Sequence, residues 1–273
     1  MKILVKWPTR NRPERFAKAL RAYQALRTTD QVDFLITIDG DDKHMTRPHI
    51  LEGLRKWGNL RYEIIEPSGK IGAINSGIDA VCTKYDIIVL ASDDMIPAVV
   101  GWDKRIIDDM GKYFPDTDGV LWYNDGYTGQ QLNTLTIMGT KYYRRFGYIY
   151  HPDYVALWCD NELMDVANKL GKQKYFEDVI IRHEHPMNGH GRVDALNMRD
   201  SRYYETDKKT YEDRKARGFD LMEHIDTDAS DTGADVPDVS TGPKPSDKPR
   251  RGRKPGAGRK LVGQSDVKHW GKA

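Results

Sequence analysis

Asp93 and Asp94 stand at the end of the apolar run Ile87-Ile88-Val89-Leu90-Ala91, separated from it only by Ser92. A buried strand that delivers acids at its C-terminal edge concentrates negative charge where open α/β sheets bind ligands, and carboxylates held there call for a cation. The chemistry implied is a metal-phosphate site, with a solvated turn as the plainer alternative. His183 and His185 follow another apolar segment, Val179-Ile180-Ile181. Two residues apart on an extended chain, they point to the same side. A carboxylate and an imidazole together suit Mn²⁺ at least as well as Mg²⁺. The plainer alternative leaves one of the pair as a surface histidine beside Pro186.

These residues need elements to hold them. Lys2 to Trp7 reads as a first strand, and Pro13 to Ala25, with Phe16, Ala19, Leu20 and Tyr23 on one face, as a first helix. Further strands are expected at Phe34 to Ile38, Arg61 to Ile65 and Ile87 to Leu90. Helices are expected at Arg47 to Trp57, Ile71 to Val81, Glu162 to Leu170 and Asp207 to Arg217, the last packed on the domain through Tyr211 and Arg214. The alternation of strand and helix periods predicts an α/β fold. Repeated βα units of this kind form a mostly parallel sheet flanked by helices, with the binding crevice at the carboxyl ends of the strands. Polar residues gather after each strand, and the sequence has no internal repeat.

Four segments in register extend the reading. Pro8-Thr9-Arg10-Asn11-Arg12-Pro13, Ile38-Asp39, Lys70-Ile71-Gly72-Ala73-Ile74-Asn75-Ser76-Gly77 and Ser92-Asp93-Asp94 resemble the nucleotide-sugar half of GT-A glycosyltransferases, family 2-like. The resemblance continues through Asp160-Asn161-Glu162-Leu163 and His183-Glu184-His185-Pro186. It implies a GT-A, Rossmann-like fold and a metal-dependent, inverting hexosyltransferase that uses a UDP-sugar, with UDP-glucose as the expected donor.

The resemblance also assigns roles. Asp94 is the expected metal ligand with His183 and His185, around Mn²⁺ or Mg²⁺. The family motif is Asp-x-Asp, whereas Ser92 stands here in place of the first acid. Asp93 then either reaches the metal through water or meets ribose or sugar hydroxyls. Thr9, Arg10, Arg12, Asp39, Lys70 and Asn75 are the expected donor contacts: Asp39 would accept from ribose or a base N–H, and Lys70 would meet phosphate as a point charge. Asp160 is the expected base that removes the acceptor's hydroxyl proton, with Glu162 as the alternative. The plainer alternative for Asp160 is an N-cap, with Glu162 in support. The aromatic and basic stretch containing Trp122, Tyr123, Lys141, Arg144 and Arg145 corresponds to the acceptor side.

The chain has 273 residues, 38% hydrophobic and 31% charged, enough for one substantial core and a tail. Cys82 and Cys159 have neither zinc-ligand spacing nor the number of a disulfide framework, so they read as reduced core residues. No apolar run approaches the roughly 20 residues that span a bilayer, and the expectation is a cytoplasmic protein without a membrane partner.

Residues 1–219 form the expected GT-A domain, 220–243 an acidic disordered linker and 244–273 a basic tail. Asp220 to Thr241 carries seven acids and no Lys or Arg, whereas Lys244 to Lys260 carries eight basic residues and one acid. Neither block has the apolar side chains to offset the entropy of ordering. Within the tail, Arg250, Arg251, Gly252, Arg253 and Lys254 resemble an AT-hook, although Lys254 separates Arg253 from Pro255. Glycine allows close approach to a minor-groove floor, and Arg side chains enter its negative potential. Non-specific binding to RNA or acidic proteins is the alternative. A sugar transferase joined to a DNA-binding tail is expected to glycosylate a hydroxymethylpyrimidine in DNA, as in a virus-encoded (bacteriophage) modification enzyme acting in the host cytoplasm. Two other readings remain: a transferase acting on polysaccharide, lipid-linked or protein acceptors, and a non-enzymatic DNA-binding protein.

Overall fold

Ile3, Val5 and Trp7 alternate with Leu4 and Lys6 along β1 (Ile3–Thr9), and both sets are buried. A strand covered on both faces belongs in the middle of a sheet flanked by helices. In the computed structural model, which describes residues 1–184 and 193–221, β1 pairs in parallel with β2 (Val32–Asp39) and β4 (Ile87–Leu90). The chain divides into two units, Met1–Thr232 and Gly233–Ala273, and the described residues all belong to the first.

The sheet has seven strands in the order β3-β2-β1-β4-β7-β6-β8, where β3 is Leu60–Ile65, β6 Val120–Tyr123, β7 Ile137–Gly139 and β8 Gln173–Phe176. β7 runs antiparallel to β4 and β6, and the other pairings are parallel. The expected mostly parallel α/β sheet is therefore what the chain forms. β5 (Met95–Pro97) and β9 (Ile181–His183) make a separate antiparallel pair.

Helices cover both faces. Trp7 meets Phe16 and Tyr23 of α1 (Pro13–Leu26) edge-on, each at 5.2 Å between ring centres, and Trp102 of α4 (Trp102–Tyr113) meets Tyr23 at 5.0 Å. α2 (Pro48–Arg55) packs beside β3. On the other face, Ile88, Leu90, Val120 and Met138 pack with side chains of α3 (Gly69–Asn75), α5 (Thr140–Phe146) and α6 (Cys159–Lys169). Cys82 and Cys159 are buried free thiols in that cluster. Asp194 caps α7 (Ala195–Ser201) by accepting the Leu196 and Asn197 N–H groups, and α8 (Tyr204–Ala216) follows. Among the described residues, no helix is long and apolar enough to cross a membrane.

Three boundaries depart from expectation for local reasons. α3 stops at Asn75 instead of running to Val81. Ser76 turns extended and Gly77 adopts φ +75°, a conformation that L side chains rarely take. The fully buried Lys6 holds this turn, donating to the Ser76 carbonyl at 2.7 Å and to the Thr37 hydroxyl. Burial lowers the Lys6 pKa to about 8, against the pull of Glu63. α6 begins at Cys159 because Trp158, with φ 63°, takes the N-cap position. Asp160 thus lies inside the first turn and is not the cap. α8 starts at Tyr204, one turn before the expected Asp207.

Candidate functional site

Asp93 and Asp94 follow β4 at the edge where the parallel neighbours β1 and β2 also end. Asp93 is tied into the fold: the Trp7 indole N–H donates to Oδ1 at 3.0 Å and the Thr9 hydroxyl to Oδ2 at 3.2 Å. Burial pushes its carboxyl pKa up to about 7, against Trp7, Arg12 and Thr9, which favour the anion. Asp94 accepts the Ser92 hydroxyl and has His183 Nε2 3.6 Å from its Oδ1. The β5–β9 ladder produces that approach. It pairs Met95 with His183, while the Glu184 N–H donates to the Asp94 carbonyl at 2.7 Å and the His183 N–H to the Asp125 carbonyl at 3.0 Å.

Among the described residues, no three His, Cys, Asp or Glu side chains cluster to hold a metal. Asp94 and His183 supply one oxygen and one nitrogen. That donor set fits Mn²⁺ or Mg²⁺ when diphosphate oxygens and water complete the shell. His185 lies outside the described residues.

The loop after β1 meets the loop after β2. Arg10 donates to Asp39 at 2.6 Å and forks onto Asp41 at 2.5 and 2.8 Å. Asp39 Oδ1 is buried with no hydrogen-bond partner among the described residues, an acceptor that a bound hydroxyl or N–H would satisfy. Arg12 forks onto Asp194 at 2.7 and 2.8 Å, joining this loop to the cap of α7. On the other side of the edge, the Lys70 ammonium donates to the Ala156 carbonyl at 2.9 Å and lies 3.9 Å from Asp200. Burial raises the Asp160 pKa from the ordinary aspartate value, opposed by the charges of Lys70 and, more weakly, His183. The charges of Lys70 and His183 thus act on Asp160, and His183 in turn lies beside Asp94.

Other expected site residues are engaged elsewhere. Asn75 spends its amide on the backbone, donating to the Tyr150 carbonyl at 2.7 Å and accepting from Ile149 and Tyr150 at 3.0 and 3.2 Å. Glu162 faces the interior, where Arg214 forks onto it at 2.8 and 2.9 Å and the Tyr154 hydroxyl donates at 2.7 Å.

The expected acceptor group is not brought together. Trp122 and Tyr123 are core residues of β6: Trp122 packs edge-on to Tyr175 at 4.9 Å, and Tyr123 stacks on Phe176 at 4.7 Å and donates to Asp109 at 2.7 Å. Lys141, Arg144 and Arg145 belong to α5, which starts where Gly139 pairs with Ile87, the first residue of β4. Because β7 runs antiparallel, that is the sheet edge opposite Asp94. Lys141 there pairs with Asp116 at 3.1 Å and Arg145 forks onto Asp118. Arg250, Arg251, Gly252, Arg253 and Lys254 lie outside the described residues.

Comparison with solved structures identifies this architecture. A mannosyltransferase from Pyrobaculum calidifontis, in complex with GDP-Man and Mn²⁺, is 13% identical with a TM-score of 0.51, over 66% of this chain and 56% of that one. S. aureus TarS residues 1–349, in complex with UDP, is 13% identical with a TM-score of 0.54, over 66% and 59%. A further S. aureus TarS structure gives 13% and 0.51, over 66% and 36%. The chain has a GT-A fold. It spans between about a third and three fifths of the length of these relatives. No family model and no curated protein matches the sequence.

Within the GT-A frame, sequence reasoning missed α7 and the contacts that Asp194, Asp200 and Asp207 make. Asp194 reaches Arg12, Asp200 faces Lys70, and the buried Asp207 accepts the Val155, Ala156 and Leu157 N–H groups. Arg12 and Asp194 lie 182 positions apart, beyond any local pattern. The Asp194-to-Asn197 capping spacing was a readable helix start, but it says nothing of Arg12. Trp7 was expected in β1, yet the alternation that buries it does not reveal that its N–H serves Asp93.

Proposed function

We propose that this chain is a metal-dependent inverting glycosyltransferase that moves a sugar from UDP, with UDP-glucose as the donor, to a hydroxyl acceptor. The observation that carries this reading is the Asp94–His183 pair at the carboxyl edge of a GT-A sheet, with the charges of Lys70 and His183 acting on the buried Asp160. The mannosyltransferase that the chain resembles was captured with GDP-Man and Mn²⁺, and TarS with UDP, which supports a nucleotide-sugar donor and a divalent ion.

Asp94 and His183 would hold Mn²⁺ or Mg²⁺, which neutralises charge on a departing diphosphate when bound. Asp39, with its open Oδ1, would accept a hydrogen bond from the ribose or the base. Lys70 would place a positive charge beside the diphosphate. Asp160 would take the acceptor's hydroxyl proton as that oxygen attacks the anomeric carbon from the face opposite UDP. The new carbon–oxygen bond forms, the anomeric carbon–phosphate oxygen bond breaks, and UDP leaves with the electron pair. A burial-raised pKa makes Asp160 a stronger base than an ordinary aspartate.

The acceptor we propose is a hydroxymethylpyrimidine in DNA, a reading supported by the Arg250-to-Lys254 segment of the basic tail. A 5-substituent projects into the major groove, so its hydroxyl is reachable without full base extrusion. The tail acts through the linker, raising local concentration without aligning the acceptor.

The test is incubation with Mn²⁺, a panel of UDP-sugars and DNA containing or lacking hydroxymethylpyrimidine, followed by mass analysis of the digested nucleosides. A hexose increment confined to the modified DNA is the expected result. No increment on either DNA sinks the acceptor. No Mn²⁺-dependent UDP binding in addition sinks the transferase reading.

A further inference from the structure

We propose that Asp207 is a positioning residue that sets Asp160 and Lys70 in place through the Val155–Leu157 backbone. The inference rests on the glycosyl-transfer reading only for the role it gives Asp160. Asp207 lies in the first turn of α8 and has no exposed surface. Its Oδ1 accepts the Val155 N–H at 2.9 Å, and its Oδ2 accepts the Ala156 and Leu157 N–H groups at 2.8 and 2.7 Å. Three successive amides turned onto one anion make a nest, and hydrogen bonds to an ionised acceptor are shorter and stronger than neutral ones.

The peptide joining Ala156 to Leu157 is gripped at both ends. Its N–H points to Asp207, and its carbonyl, on the opposite side, receives the Lys70 ammonium at 2.9 Å. The chain then passes through Trp158 in the left-handed region and enters α6, with Asp160 two residues further on. One carboxylate thus fixes the approach to Asp160 and the acceptor that holds Lys70. Val155 is 37% exposed, but Ala156 is 2% exposed and its amide is cut off from water, so it needs a partner within the protein. A buried carboxylate holds all three amides in a single geometry, which loop closure alone does not require.

The test compares Asp207→Asn and Asp207→Glu with the wild type. Amide exchange at Val155, Ala156 and Leu157 reports the clamp, with the β1 and β4 amides as the control for folding. The titration midpoint of the Asp160 carboxyl, followed by ¹³C NMR in metal-free protein, reports the position of the acid. Lys70, His183, Tyr150 and Cys159 are the titratable groups coupled to it. Burial dominates the Asp160 pKa, so loosening the loop in Asp207→Asn should admit water and drop the midpoint toward the ordinary aspartate value.

Release of UDP from UDP-glucose should lose about 100-fold in kcat in that variant, the scale set by roughly 1 Å of misplacement, with little change in donor KM. Asp207→Glu, which keeps the charge, should recover part of both effects. It also carries the same measurements if Asp207→Asn does not fold. An unchanged Asp160 midpoint despite faster exchange of the three amides would overturn the proposal. So would a rise in KM at constant kcat, which places Asp207 in donor grip alone. Wild-type turnover in Asp160→Asn would instead remove Asp160 as the base, and the midpoint would still decide the role of Asp207.

Discussion

His183 Nε2 lies 3.6 Å from Asp94 Oδ1, and the pairing of Met95 with His183 sets that separation from the backbone of both strands. If Asp94, in the turn before β5, and His183, at the end of β9, hold the ion as proposed, then with no third such side chain clustered beside them among the described residues most of a hexacoordinate shell would fall to diphosphate and water. Metal affinity and UDP affinity should therefore rise together. Titration calorimetry of UDP should show binding at least about tenfold tighter with Mn²⁺ than with a chelator, and Asp94→Ala or His183→Ala should abolish the difference. Equal affinities in the wild type with and without chelator would exclude the ion from the donor site.

Asp160 supplies a second expectation, this one in pH. A base works deprotonated, so turnover should climb as pH rises through its pKa. Burial places that pKa above the ordinary aspartate value despite the opposing charge of Lys70. The acid limb of the rate profile should consequently be displaced upward from that of a solvated Asp. Asp160→Asn should erase that limb and lower kcat by about 10²–10⁴-fold while leaving UDP affinity within a few-fold. A variant that loses UDP binding and keeps its turnover would move the residue out of the base role.

What the sequence could reveal here follows the range of the interactions involved. Asp93 and Asp94 at the end of an apolar run, and Asp39 at the end of another, were legible because strand ends are local patterns and the edge they share follows from parallel pairing. The acceptor group was not. Lys141 and Arg145 lie on the far edge because β7 reverses direction, and a three-residue strand carries no signal of its sense. The α3 boundary is partly local, at Ser76 and at Gly77 with its positive φ, and partly not: the Lys6 ammonium that holds the Ser76 carbonyl in this turn comes from 70 positions away. Glu162 and Asn75 turn toward partners, Arg214 and the Ile149–Tyr150 backbone, that only the tertiary fold brings near.

The Trp7–Asp93 hydrogen bond predicts a pH-dependent stability. With its folded-state pKa near 7, above the 3.8 of an ordinary aspartate, Asp93 binds its proton more tightly in the fold than in the unfolded chain. Its contribution to stability is therefore complete at low pH and falls as pH rises from about 4 through 7. The indole N–H favours the anion, so Trp7→Phe should raise this pKa further and cost most when Asp93 is ionised. The volume lost from the fully buried ring adds a penalty that does not vary with pH. Urea unfolding should show Trp7→Phe losing about 1–3 kcal/mol more at pH 8 than at pH 5. A penalty of equal size at both values would mean that the hydrogen bond does not govern the ionisation.

Glu162 and Arg214 provide the sharpest separation of structural from catalytic acids. Both side chains are nearly fully buried, the guanidinium forks onto the carboxylate, and Tyr154 donates to the same group. Taking two ions from water is costly, so the pair as a whole adds little net stability, but removing one partner strands the other charge. Arg214→Met should destabilise the fold by about 3–5 kcal/mol, and Glu162→Gln by less because the amide keeps an acceptor for Arg214. The double variant Glu162→Leu with Arg214→Met should be less harmful than the sum of its parts. If Glu162 were the base, Glu162→Gln would eliminate turnover at temperatures where the variant remains folded. Placement against Arg214 predicts instead that its kcat stays near that of the wild type there, while Asp160→Asn loses turnover without a comparable loss of thermal stability.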